Sequence, residues 1–288
     1  MPQAFNYTIN IDCPPEARPA VDARLQNIIR GALTEVSSGG MRINIDYPVT
    51  PKPHWTDKPH AGLDRLFAAH RDEFVERLNS YLPLAPALRS DRTLQWQNGW
   101  FEGLDAIMAY AVVATHRPKR FMEIGSGYST TFAAAAKRTH SPGTKITSID
   151  PHPRAEIDAL CDQVIREPFE NTDLTVFSQL EKDDVLFIDS SHRVFTNSDV
   201  MTVFLDVIPY LQPGVLIQIH DIFLPRDYPD YWNNRFYSEQ YLLAAYLLGG
   251  HQGTELFMPV AYVSEQKLLP AELAQIAAGG VSFWLRKT

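Results

Sequence analysis

The chain has 288 residues, 45% of them hydrophobic and 21% charged, with a formal net charge of −8. That length holds one large domain, or one domain with a substantial extension. The negative balance gives no global attraction to phosphate backbones, and no run of Lys and Arg makes a basic patch, so nucleic acid is not an expected partner. Two cysteines, Cys13 and Cys161, can build neither a disulfide framework nor a metal finger, and they read as reduced thiols of a cytoplasmic protein. The N-terminus lacks the basic and apolar regions of a signal peptide, and no stretch approaches the ~18 apolar residues of a membrane helix.

Taken in chain order, Phe5 to Asp12 and Met41 to Tyr47 alternate apolar and polar residues, which predicts two strands. Between them Val21, Leu25, Ile28, Ile29 and Leu33 fall at helical spacing, and Ser37-Ser38-Gly39-Gly40 closes that helix. Four prolines between Pro48 and Pro59 read as an extended linker. Leu63, Leu66, Phe67, His70, Phe74, Leu78 and Tyr81 share one side of a predicted helix over 63–82. After Pro83 and Pro86 comes an aromatic patch, Trp96, Trp100 and Phe101, leading into a helix that runs to about Thr115. We therefore divide the chain into an α+β extension over 1–95 and a main domain over 96–288, an arrangement that suits a homodimer.

From residue 118 strands alternate with helices. Predicted strands lie at 120–124, 145–150, 184–189 and 215–220, with further ones near 256–263 and 280–286. Helices lie at 129–138, 155–161, 199–211 and 239–248. Apolar strands separated by helices predict a Rossmann-like α/β domain, a largely parallel sheet covered on both faces. In such sheets ligands bind at the carboxyl ends of strands, which here carry Glu123, Asp150, Asp189 and the pair His220-Asp221.

Gly125-Ser126-Gly127 joins a strand to a helix, where glycine permits a tight turn and a close approach of backbone to ligand. A dinucleotide fingerprint places a third glycine at 130, and the residue is Thr130. Glu123 precedes the loop by two residues. A carboxylate there repels a pyrophosphate and attracts a cation, such as the ammonium and sulfonium of S-adenosylmethionine. Asp150, at the end of the next strand, is placed to accept both hydroxyls of a ribose.

Together Glu123-Ile124-Gly125-Ser126-Gly127-Tyr128-Ser129-Thr130, Ser148-Ile149-Asp150-Pro151, Phe187-Ile188-Asp189 with His192, and Ile219-His220-Asp221 resemble the class I S-adenosylmethionine-dependent methyltransferase family, in particular its bacterial small-molecule methyltransferases. The resemblance spans about residues 96–288. It implies a seven-stranded sheet with an antiparallel last strand, and S-adenosylmethionine held by Glu123, Gly125, Ser126, Gly127 and Asp150. It also implies adenine contacts from within 167–173.

Asp189, His192, His220 and Asp221 end two strands and form a candidate catalytic group, with His192, His220 and Asp189 as the reacting residues. In one reading Asp189, His220 and Asp221 hold a divalent metal (Mg, Mn or Fe) that lowers the pKa of an acceptor hydroxyl. In another, a histidine oriented by an aspartate acts as general base; in a third, His192 and Asp221 only hydrogen-bond loops. Glu239 and Arg235 are additional candidate partners, although such residues near a helix start more often cap it or lie at the surface. The chain departs from the metal-dependent O-methyltransferase pattern in placing His220 before Asp221, and imidazole disfavours Mg²⁺. The aromatic segment 226–237 follows the fifth strand and reads as a cap over a small-molecule acceptor. These features favour O-methylation of a hydroxylated small molecule, a sugar or natural product. Two other classes remain open on sequence: a non-haem metal oxygenase using His192, His220 and an aspartate, and a non-catalytic relative.

Overall fold

A computed structural model describes residues 52–153 and 155–288. The two strands and the helix expected before residue 48 lie outside the described residues. Residues 52–288 form one compact unit. Its helices are α1 (Ala61–Ala69), α2 (Arg71–Ser80), α3 (Ala85–Ser90), α4 (Gly103–His116), α5 (Tyr128–His140), α6 (Asp199–Thr202), α7 (Glu239–Leu248), α8 (Val260–Glu265) and α9 (Ala271–Ala274). Its strands are β1 (Arg120–Ile124), β2 (Lys145–Ile149), β3 (Gln163–Ile165), β4 (Val185–Ile188), β5 (Leu216–Ile219), β6 (Thr254–Pro259) and β7 (Phe283–Lys287).

The strands make one seven-stranded sheet in the order β3-β2-β1-β4-β5-β7-β6. Strands β1 to β5 pair in parallel, and β7 runs antiparallel to both β5 and β6. Every residue of β4 and β5 is buried. Because successive side chains point to opposite faces, uninterrupted burial means that both faces are covered. The sheet is therefore the predicted one. Strand β1 lies between β2 and β4, so the strand order reverses there and opens a crevice at the carboxyl ends.

Helix α4 is buried all round from Gly103 to Ala114, as a run that is apolar but for Asp105 requires. It packs against α5, whose Ala133 to Ala136 lie buried. The predicted helix over 63–82 is instead two helices, α1 and α2, that meet at His70. The helix expected over 199–211 begins as α6, then passes through a π-helical turn at Val203–Val207 and a 3-10 turn at Ile208–Tyr210. Pro209 lacks the N–H that an α-helix needs in that stretch. Only Asp158–Leu160 of the segment 155–161 is helical, as a 3-10 turn. The short strand β3 carried too little periodicity to be placed from sequence.

Helices α1 and α2 were grouped with the extension, yet they share the core of the sheet. Leu63, Phe67, Phe74 and Leu78 are fully buried. The Phe67 ring lies 5.5 Å from Tyr262 and 5.6 Å from Phe283, and the Arg77 guanidinium sits 4.0 Å over the Phe257 ring. An apolar helical stripe must bury itself, and the β6–β7 end of the sheet supplies the surface. Phe67→Ala is therefore expected to destabilise the whole 52–288 unit by about 3–5 kcal/mol. A urea titration followed by circular dichroism and by tryptophan fluorescence should give one coincident transition for this unit. Separate transitions would mean that α1 and α2 fold apart from the sheet.

Candidate active site

The glycine loop is built between β1 and α5. Gly125 has φ +78°, in the left-handed region, and a Cβ there would lie 1.8 Å from the carbonyl oxygen of Asp189. Only glycine fits. The Gly125 N–H donates to the Ile149 carbonyl at 3.0 Å, and the Asp189 N–H donates to the Ile124 carbonyl at 2.8 Å. The loop is thereby locked to the ends of both neighbouring strands, β2 and β4. The Ser126 N–H donates to Asp150 Oδ2 at 2.7 Å, and the His152 N–H donates to Asp150 Oδ1 at 2.7 Å. Each oxygen of Asp150 is oriented by one backbone donor and keeps a lone pair for a further hydroxyl.

A cleft of about 250 Å³ lies over these groups, lined among others by Gly125, Ser126, Asp150, Phe169, Asp189 and Asp199. Pro168, Phe169 and Glu170 fall within the stretch expected to meet an adenine. Two predicted cofactor residues stand elsewhere. Gly127 caps α5, its N–H facing Thr130 Oγ1 at 3.3 Å. Glu123 is fully buried beneath the loop, where its carboxyl accepts from the Ser129 and Thr130 hydroxyls. Neither lines the cleft. Glu123 thus braces the first turn of α5, its carboxyl engaged by two hydroxyls of that turn.

The acid–histidine cluster converges as predicted, with two additions. His192 is buried, and its Nε2 lies 3.1 Å from Asp189 Oδ1 and 3.4 Å from Asp221 Oδ2. Its Nδ1 lies 2.8 Å from Glu239 Oε2. His220 Nδ1 lies 3.5 Å from an oxygen of Asp189 and 3.5 Å from one of Asp221, and its Nε2 lies 3.5 Å from Asp105 Oδ2. Burial alone would lower both imidazoles. The surrounding carboxylates outweigh it, Asp189 and Glu239 at His192, Asp189 and Asp221 at His220, and both are held well above the ordinary histidine range. Burial would raise Asp189, and the two histidines hold it below the usual carboxylate range instead. His192 and Asp221 both adopt left-handed backbone, φ +59° and +56°. Such conformations cost on the order of 1–3 kcal/mol and concentrate at functional sites.

Asp105 is not among the predicted site residues, and Glu239 is on sequence only a possible additional partner of the cluster. A glutamate at a helix start reads as a capping residue. Asp105 did carry a signal: it is one acid in the otherwise apolar run from Gly103 to Ala114. Its carboxylate accepts from the Val281 and Ser282 N–H groups at 2.7 and 2.8 Å, which ties α4 to the approach to β7.

Asp189, His220 and Asp221 offer ligand atoms within 4.8 Å of one another, so the three predicted metal ligands stand together. Bonds of about 2.1 Å to one ion place adjacent ligands roughly 3 Å apart, so this set fits a cation with little movement. The nitrogen donor suits Mn²⁺ or Fe²⁺ better than Mg²⁺. The group of converging ligand atoms found among the described residues holds His220 but not His192, so it does not supply the two-histidine triad of the oxygenase reading. His192 lines none of the three cavities described at the site, and its ring faces Asp189, Asp221 and Glu239.

A second cavity, of about 120 Å³, is lined by Gly99, Trp100, Asp189, His220, Asp221, Trp232, Arg235 and Tyr237. The segment after β5 does cap the site. Phe101 packs against Phe187 and His220, at 5.5 and 5.2 Å between ring centres, so the earlier aromatic patch both lines the cavity and anchors to the sheet. Asp189 lines the cleft and the cavity alike.

Residues 122–222 match a family profile described as a methyltransferase domain, a span that holds the glycine loop, Asp150, Asp189, His192, His220 and Asp221. The match bears out the resemblance carried by those motifs. A protein of Archaeoglobus fulgidus, described as uncharacterized, is 34% identical over 138 residues, which are 44% of this chain and 62% of that protein. The chain thus spans 62% of the length of that relative. Among solved structures, the chain is similar to an SAH-bound methyltransferase of Podospora anserina, at 16% identity and a TM-score of 0.42 over 84% of this chain and 100% of that one. It is also similar to an O-methyltransferase from Bacillus cereus in complex with SAH, at 15% identity and a TM-score of 0.39 over 77% and 97%.

Burial raises the Glu123 carboxyl to about 8, against the opposing pull of its bonds from Ser129 and Thr130. The folded chain then holds a proton that the unfolded chain has lost, so stability falls as pH rises from about 4.5, the ordinary glutamate value, through about 8. In Glu123→Gln that decline should flatten, with urea midpoints measured across the range as the check. An unchanged slope would mean that Glu123 is ionised when folded.

Proposed function

We propose that this chain, which carries a methyltransferase domain over residues 122–222, binds S-adenosylmethionine in the cleft beside Asp150 and transfers its methyl group to a hydroxyl oxygen of a small molecule. The observation that carries the reading is the position of Asp189. It is the one residue common to the walls of the cleft and the small cavity, so the two spaces meet at Asp189. A sulfonium methyl presented from the cleft and a hydroxyl presented from the cavity would meet there.

Asp150, oriented by the Ser126 and His152 N–H groups, accepts from the ribose hydroxyls. Gly125 and Ser126 let the backbone approach the cofactor closely. The sulfonium is already activated, so the larger task is alignment. Asp189 accepts a hydrogen bond from the acceptor hydroxyl and so aims that hydroxyl's own oxygen lone pair at the methyl carbon; as the O–C bond forms, the C–S bond breaks, S-adenosylhomocysteine leaves, and the hydroxyl proton passes to Asp189 and on to solvent. His192, backed by Glu239, keeps Asp189 charged and fixed. A divalent cation held by Asp189, His220 and Asp221 would lower the pKa of the hydroxyl. This reading puts the activity in the cytoplasm, where two cysteines that build no disulfide framework stay reduced. No helix among the described residues is long and apolar enough to cross a membrane.

S-Adenosylmethionine at 100 times its Kd should stabilise the protein by about 2.7 kcal/mol in a thermal unfolding assay. Asp150→Ala should weaken binding by about 10–100-fold by calorimetry, the loss of hydrogen bonds to a charged group. No stabilisation by S-adenosylmethionine or its demethylated product would overturn the proposal.

The metal has its own test. After chelation, Mn²⁺ or Fe²⁺ should raise the melting temperature more than Mg²⁺, and Asp221→Asn should reduce the shift. Equal shifts in the variant would remove Asp221 from the ligand set.

A further inference from the structure

Arg235 has no part in the reaction as described, yet it stands in the wall of the acceptor cavity. It ends the 3-10 turn Asp230–Arg235. Its guanidinium lies 4.4 Å over the Trp232 ring and 5.6 Å from the centre of Tyr237. In this acidic chain other arginines find acids: Arg120 pairs with Asp184, Arg138 with Asp91, Arg166 with Asp158 and Arg226 with Glu265. Arg235 pairs with no carboxylate among the described residues. Arg193, its neighbour over the Tyr237 ring at 5.0 Å, donates to the carbonyls of Arg235 and Ser191. Stacking holds a guanidinium by its face and leaves the N–H groups at its edge free to take a planar anion in a fork.

The cavity has a charge gradient. Asp189 and Asp221 lie in its wall together with Arg235. His220 in the same wall offsets part of the carboxylate charge, so Arg235 is the group that draws an anion, while a hydroxyl donates to a carboxylate oxygen. Size narrows the class further. A space of about 120 Å³ is close to the ~150 Å³ that holds a benzene ring. Trp100, Trp232 and Tyr237 give it aromatic walls, and it adjoins a wider space of about 300 Å³ that shares Trp100, His220, Asp221 and Trp232.

We infer that the acceptor is a hydroxylated small-ring compound carrying an anionic group, which Arg235 binds while the hydroxyl lies against Asp189. This rests on the methyl-transfer reading of the same site. It gives Arg235 a specificity role: the charge gradient decides which end of the acceptor faces the cofactor.

The test is calorimetry on the full chain, first with S-adenosylhomocysteine and then, on the loaded protein, with three rings: catechol, 3,4-dihydroxybenzoate and 4-hydroxyphenyl phosphate. At least one anionic ring should bind about 10-fold or more tightly than catechol, as a charge-assisted fork predicts. Which of the two binds better tells carboxylate from phosphate. Arg235→Gln should abolish the preference while leaving catechol within about twofold, and Arg235→Lys should restore part of it. Catechol binding as tightly as both anions, no ring binding at all, or a preference that survives Arg235→Gln would each overturn the inference. Failure of S-adenosylhomocysteine to bind would instead overturn the methyl-transfer reading, so the two failures are distinct.

Discussion

The carbonyl of Asp189 occupies the place where a side chain on residue 125 would begin. That close approach, one backbone against another with no Cβ between them, fixes the glycine loop to the end of β4. It is reinforced by the Asp189 N–H on the Ile124 carbonyl and the Gly125 N–H on the Ile149 carbonyl. The cleft over Asp150 and the acid–histidine cluster are therefore parts of one rigid edge. In the methyl transfer proposed for this site, a loosely held loop would leave the donor free to drift relative to the acceptor, and transfer depends on that alignment.

Behind this edge lies a buried electrostatic network. Asp105, Glu239, His192 and His220 are all nearly removed from solvent. Isolated charges there would be prohibitive, and mutual pairing is what makes them tolerable. Each histidine faces carboxylates from more than one element. His192 bridges Glu239 of α7 to Asp189 and Asp221 at the ends of β4 and β5. His220 joins that pair to Asp105 of α4. The network ties two helices to the carboxyl ends of two strands, and it leaves Asp189 ionised between the two spaces. The left-handed backbone at His192 and Asp221 is the local cost of aiming these groups inward.

Much of this was legible in the sequence because the relevant signals are local. Apolar strands ending in Glu123, Asp150, Asp189 and His220 announce a parallel sheet and its active edge. Glycine in Gly125-Ser126-Gly127 announces a close approach. The aromatic run over 226–237 announces a cap. Other features were hidden for an equally physical reason. Strand β3 is three residues long and takes its identity from pairing with β2. The Glu123 carboxyl is claimed by two hydroxyls six and seven residues later, which only the turn into α5 brings back to it.

Sequence alone determined the class of fold, the loop that opens onto the cleft, Asp150 as its polar anchor, and the set Asp189, His220 and Asp221. Those depend on the order of strands and helices along the chain and on residue types at strand ends. Tertiary structure decided which groups meet. It brought Asp105 and Glu239 to the histidines across 115 and 47 residues of chain. It also moved α1 and α2 into the core of the sheet and set Arg235 in one cavity wall with Trp100 and Asp189. Such contacts belong to distant segments, and no local pattern encodes them until the sheet has formed.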